Sequence, residues 1–91
     1  MIRLSVKVEN NLGLHARAAA KLVQLASGFS SDIHLSRKNA NQRIDSKSIL
    51  GVLMLAASKG TCLIISIDGR DEKEAGEAIS KLFRSKFGEK E

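Results

Sequence analysis

Ile2, Leu4, Val6 and Val8 alternate with Arg3, Ser5, Lys7 and Glu9 at the start of the chain, the period of two that marks a strand with one buried face. Asn10-Asn11-Leu12-Gly13 interrupts that pattern. From Ala16 onward the spacing changes: Ala19, Leu22, Val23 and Ala26 recur at helical intervals, and Ser27-Gly28 supplies a left-handed stop. Ile33 and Leu35 predict a second strand and Ile44 the middle of a weak third, joined as a hairpin through Lys38-Asn39-Ala40-Asn41. Residues 49–57 are apolar at nearly every position without β-branched alternation, which predicts a short helix entered at Ser46 or Ser48 and closed before Gly60. A central strand follows over 61–67. Asp71-Glu72-Lys73-Glu74 has the form of a capping box, and Ala75, Ala78, Ile79, Leu82 and Phe83 continue it as an amphipathic helix.

The order β-α-β-β-α-β-α, with one apolar stripe per helix, predicts an α+β fold: a four-stranded antiparallel sheet covered by three helices on one face. The opposite face would be solvated, carrying Arg3, Ser5, Lys7, His34, Ser66 and Asp68. Ninety-one residues allow one small domain, read here as 1–88 with Glu89-Lys90-Glu91 as a polar C-terminal tail. With no signal-peptide core and no apolar run long enough to span a membrane, the expected location is the cytoplasm. A single cysteine, Cys62, excludes an internal disulfide and any multi-cysteine metal site, and fits a reducing compartment.

Fifteen Lys and Arg against ten Asp and Glu give a net charge of +5, which favours acidic partners. Nucleic acid is the reading supported by charge alone. It is weakened because only Phe29, Phe83 and Phe87 are aromatic, too few for a base-stacking platform, and the basic residues interleave with acids.

Chemistry concentrates at Gly13-Leu14-His15-Ala16-Arg17, where an imidazole stands at a loop-to-helix junction. The first N–H groups of a helix lack internal partners, so those of Ala16 and Arg17 are available to phosphate oxygens, and the guanidinium of Arg17 suits the same oxygens. The helix dipole disfavours an imidazolium, keeping the ring neutral and nucleophilic. A histidine so placed can attack a phosphoryl donor and hold the group as a phosphoramidate. No carboxylate adjoins it in sequence, Glu9 being the nearby candidate, so nothing obvious activates water and the group would persist as on a carrier. An ordinary exposed helix cap fits the same residues. Metal binding does not, since the only other histidine, His34, falls in a strand.

Gly13-Leu14-His15-Ala16-Arg17-Ala18-Ala19-Ala20 resembles the active-site motif of the HPr family, the histidine-containing phosphocarriers of the phosphoenolpyruvate-dependent sugar phosphotransferase system. Lys47-Ser48-Ile49-Leu50-Gly51-Val52 is similar to that family's regulatory serine motif, and Gly60, Gly69 and Asp71 fall at its landmarks. The resemblance implies the family's open-faced β-sandwich and a phosphoryl group carried on Nδ1 of His15 as pros-phosphohistidine. It implies assistance from Arg17 and a phosphate cradle made by the amides of Ala16 and Arg17. Phosphorylated enzyme I would be the donor and sugar-specific enzyme IIA domains the acceptors, with no cofactor and no metal. It also implies ATP-dependent phosphorylation of Ser48 by an HPr kinase/phosphorylase, with a catabolite-control regulator as a further partner; a plain N-cap role for Ser48 fits equally. Ile49, Leu50 and Leu53 match partner-docking positions, although helix-core roles fit that apolar segment as well. A shuttle that offers one face to several partners is expected to be a monomer. A nitrogen-branch relay carrier and a mainly regulatory paralogue are the alternatives.

Two departures stand out. Ala18 occupies a position where most members carry Pro, which softens the first helical turn by about 0.4–1 kcal/mol through the unfolded state. The segment from Arg37 to Arg43 is longer than usual, an extension expected to lengthen the hairpin loop without disturbing the site.

Overall fold

The computed structural model describes residues 1–89. Its elements run β1 (Ile2–Lys7), α1 (Ala16–Ser27), β2 (Asp32–Arg37), β3 (Ile44–Asp45), α2 (Ile49–Met54), β4 (Cys62–Asp68) and α3 (Glu72–Arg84), followed by a 3-10 turn at Lys86–Gly88. The four strands form one antiparallel sheet in the order β1-β4-β2-β3. Central β4 explains the register: Ile65 stands opposite Leu4 on one side and Leu35 on the other, while Ser66 stands between Arg3 and His34. Because side chains alternate across a sheet, Leu63, Ile65 and Ile67 all point inward with Ile33 and Leu35, and all five are buried. The other face carries Arg3, Ser5, Lys7 and Asp68 exposed to water, with His34 and Ser66 half-buried.

Against the inward face α1 lays Ala18, Ala19, Leu22 and Ala26, and α3 lays Ala75, Gly76, Ile79 and Phe83. The small residues on these stripes bring helix backbone close to the sheet; a Cβ at Gly76 would stand 3.0 Å from Ile2 and from Leu4. Each fully buried Ile, Leu, Val or Phe in this layer contributes about 1.5–3 kcal/mol. The architecture is the expected open-faced sandwich.

Several local expectations are corrected. Gly28 ends α1 in right-handed geometry (φ −77°), its N–H reaching Leu25 O, so no left-handed stop is needed there. Asp71 does not close a capping box: its carboxylate accepts from the backbone N–H groups of Ser30 and Ser31 and from the Ser31 hydroxyl, pinning the start of α3 to the entry of β2. In its place Glu72 accepts from Gly69 N–H at 3.1 Å. The second helix stops at Met54 rather than running to residue 57, because Ala56 turns left-handed (φ 51°) and ends the helical path. Of the two candidate entry serines, Ser48 is the N-cap, accepting from Gly51 N–H at 3.2 Å; Ser46 is buried. The long hairpin loop leaves β3 only two residues, with Asn39 left-handed in its turn.

Candidate functional site

The turn that delivers His15 is fixed by the buried residue Asn10. Its side-chain N–H donates to Gly13 O at 2.7 Å, while Gly13 N–H returns to Asn10 O at 3.1 Å and Leu14 N–H donates to Ala57 O at 2.9 Å. Gly13 is left-handed (φ 67°), and a Cβ there would lie 2.5 Å from Ala57 O, so only glycine lets this turn press against the segment after α2. Leu14 then buries its side chain and hands the chain to His15, the N-cap of α1, in extended geometry (φ −74°, ψ −179°).

The His15 ring makes no capping bond, which leaves it for other chemistry. The first intrahelical bond runs from Ala19 N–H to His15 O, so the amides of Ala16, Arg17 and Ala18 have no partner within the helix and carry its positive end. Ala16 and Arg17 are exposed, whereas Ala18 is buried beneath the first turn, where its methyl group packs in the core. His15, Ala16, Arg17, Lys21, Leu12, Gly88 and Glu89 line one open cleft of about 680 Å³. An anion entering it meets free amides, one guanidinium and one ammonium, together with the one carboxylate of the lining, that of Glu89.

The ring itself is held from an unexpected direction. Its Nε2 pairs with Oε2 of Glu89, while Oε1 of the same carboxylate accepts from Asn10 Nδ2 at 3.0 Å. The hydrogen bond from His15, followed by that from Asn10, holds the Glu89 carboxyl below its ordinary range. The carboxylate at the histidine is therefore Glu89; Glu9 is exposed. Sequence reading assigned Glu89 to a polar tail, and Lys90 and Glu91, the rest of that tail, lie outside the described residues. Sequence separation hid this contact. The signal that could have shown it is Phe87-Gly88, an apolar anchor followed by a turn-former just past α3.

Ser48 and its neighbours sit on α2, which packs beside α1. Ile49 and Leu50 are exposed, Leu50 at 70%, whereas Leu53 is half-buried against the core. Leu12 at 70% and Met54 at 79% are exposed apolar residues that the sequence reading passed over. Among the described residues no group of His, Cys, Asp and Glu could hold a metal ion, and no helix is long and apolar enough to cross a membrane. Cys62 is exposed and unpaired by any disulfide.

A sequence model described as the phosphorylation site of the HPr component of the phosphotransferase system matches residues 2–85. The chain belongs to the HPr family of phosphocarrier proteins. Similar relatives include the phosphocarrier protein HPr of Xylella fastidiosa, 49% identical over 98% of both chains, and that of Neisseria meningitidis, 44% identical over the full length of each. The crystal structure of an HPr from Thermoanaerobacter tengcongensis superposes with a TM-score of 0.93 at 42% identity, covering both chains completely. Crh, the catabolite-repression HPr of Bacillus subtilis, matches at 36% identity and a TM-score of 0.72 over 94% of this chain and 97% of its own, in a structure described as a domain-swapped dimer. Membership of the HPr family makes this chain a phosphoryl carrier of the phosphotransferase system rather than an enzyme.

Proposed function

We propose that the chain accepts a phosphoryl group on Nδ1 of His15 from phosphorylated enzyme I and passes it to sugar-specific enzyme IIA domains in the cytoplasm. The observation that carries this reading is the His15 ring at the N-terminus of α1, with Nε2 paired to Glu89 and with Ala16 and Arg17 lining the same cleft; on this reading Nδ1 is the nucleophile. In the transfer the Nδ1 lone pair attacks phosphorus, the donor's P–N bond breaks, and its electron pair returns to the donor ring. Arg17 and the amides of Ala16 and Arg17 stabilise the negative charge spread over the equatorial oxygens. Since α1 presents these donors before any phosphate arrives, little reorganisation accompanies transfer.

Ser48 is proposed as the regulatory site for an HPr kinase/phosphorylase. Its hydroxyl oxygen accepts from Gly51 N–H, so its own proton is free to leave, and a phosphate there meets the N-terminus of α2 beside exposed Ile49 and Leu50. A charge of about −2 at that point opposes an acidic partner while the fold stays intact. Ile49, Leu50 and Leu53 are proposed to dock enzyme I and enzyme IIA, with Leu12 and Met54 extending the patch.

The test is phosphoryl transfer from phosphoenolpyruvate through enzyme I, read by intact mass and acid lability. One acid-labile phosphate on the native protein, absent from His15→Ala, is expected. Transfer only from a nitrogen-branch enzyme I would replace the sugar-branch assignment, and no acid-labile phosphate at all would overturn the carrier site.

A further inference from the structure

Past α3 the chain makes a turn that its own sequence does not favour. Lys86, Phe87 and Gly88 are all left-handed (φ 57°, 58° and 76°), and the first two carry side chains that disfavour that region. The turn is held from outside. Phe87 is fully buried, its ring edge-on to Phe83 at a centroid distance of 5.0 Å, and its carbonyl accepts from Lys21 Nζ at 2.6 Å. Gly88 N–H and Glu89 N–H then close onto Ser85 O and Lys86 O. The outcome of this anchoring is to carry Glu89, 74 residues from His15 in sequence, onto the imidazole. Its side chain is only 10% exposed and both carboxylate oxygens are used, one by Asn10 and one by His15. These residues lie beyond 2–85, the span over which the family model matches.

We propose that Glu89 is a positioning residue for phosphoryl transfer at His15: its carboxylate holds the proton on Nε2, so that Nδ1 presents its lone pair, and it balances the positive charge of the ring once Nδ1 is phosphorylated. The proposal rests on the reading of His15 as phosphoryl acceptor. When a neutral imidazole with its proton on Nε2 bonds phosphorus through Nδ1, the ring becomes a cation, and no proton need move within the chain. On onward transfer the acceptor attacks phosphorus, the P–N bond breaks and its electron pair returns to Nδ1, leaving neutral imidazole. Were Nε2 deprotonated instead, the leaving group would be an imidazolate, a far poorer one. A carboxylate at Nε2 therefore keeps the phosphorylated ring in its transferable form, in the way an aspartate orients and compensates a catalytic histidine. The charged groups that line the cleft with the ring are Arg17 and Lys21 from α1 and the Glu89 carboxylate, and of these Glu89 is the one that bonds the imidazole.

The experiment phosphorylates the full-length protein with potassium phosphoramidate, which needs no protein donor, and follows loss of the acid-labile phosphate by 31P NMR across pH 4–9. In Glu89→Gln the inflection of the hydrolysis profile is expected to fall by about one pH unit or more, with hydrolysis near neutrality slowing about tenfold, the same shift expressed as a rate. Glu89→Asp should recover part of the native profile. A role confined to anchoring the C-terminal turn would lower the thermal midpoint and leave the profile where it was. Superimposable profiles for native and Glu89→Gln protein would thus overturn the positioning role and leave the carrier reading standing. Failure of the native protein to form phosphohistidine with either phosphoramidate or enzyme I would overturn both.

Discussion

Asp71 shows how a single residue can be misread from its neighbours and still be explained by its chemistry. Followed by Glu74 three positions later, it has the form of a helix cap, yet two backbone amides and the Ser31 hydroxyl lie within reach across the fold, and the carboxylate turns to them. The Ser31 hydroxyl, then the Ser30 amide, lowers its carboxyl from 3.8 to about 2. A carboxyl depressed in the folded state stabilises the fold fully above the unfolded value and loses that contribution as pH falls through the folded one. Native protein should therefore lose this part of its stability between about pH 4 and pH 2. Asp71→Asn should be less stable near neutrality, and the gap between the two proteins should close over that same acidic window. Thermal unfolding midpoints from pH 7 to pH 2 measure it; a gap that stayed constant down to pH 2 would mean that the carboxylate is not what Ser30 and Ser31 recognise.

Among the elements, α2 depends most on its ends. Six residues are too few for a helix to persist on propensity alone, and Val52 is its one fully buried side chain, so the Ser48 cap and packing against α1 sustain it. Ser48→Ala should cost about 0.5–2 kcal/mol, read as a lower urea midpoint with an unchanged slope. The same element shows what a sequence can and cannot carry. Its existence follows from an apolar run without strand alternation, but its end does not, because the left-handed residue there is Ala56, with no glycine to mark it, and the carbonyls of Leu55 and Ala56 accept from Arg37, a residue distant in sequence. Period-two and helical spacing likewise located β1, α1, β4 and α3, since those patterns record which face is buried. The placement of His15, Ala16 and Arg17 of the candidate site was legible because a loop-to-helix junction is a local event. Glu89 was not: its place depends on Phe87 being buried beside Phe83 and on Lys21 bonding a carbonyl, contacts between residues far apart in sequence.

At the scale of the whole molecule, the candidate site lies in one cleft while the sheet's outer face stays polar. A net charge of +5 gives the protein a long-range attraction to acidic partners, whereas exposed Leu12, Leu50 and Met54 can act only in contact. These two contributions separate experimentally because salt screens the first and not the second; the Debye length shrinks from about 10 Å at 0.1 M to about 3 Å at 1 M. Raising ionic strength should therefore lower kcat/KM for phosphoryl transfer from enzyme I, by about tenfold or more over that range, chiefly through slower association. Leu50→Glu should raise KM by about fivefold or more, as the loss of an interface anchor with a new charge in its place. If Leu50 acts by direct burial, most of that penalty should persist at 1 M salt, where the attraction has been screened away. A penalty that disappears in high salt would instead mean that the added negative charge, not the lost apolar contact, was responsible, and would remove Leu50 from the docking patch.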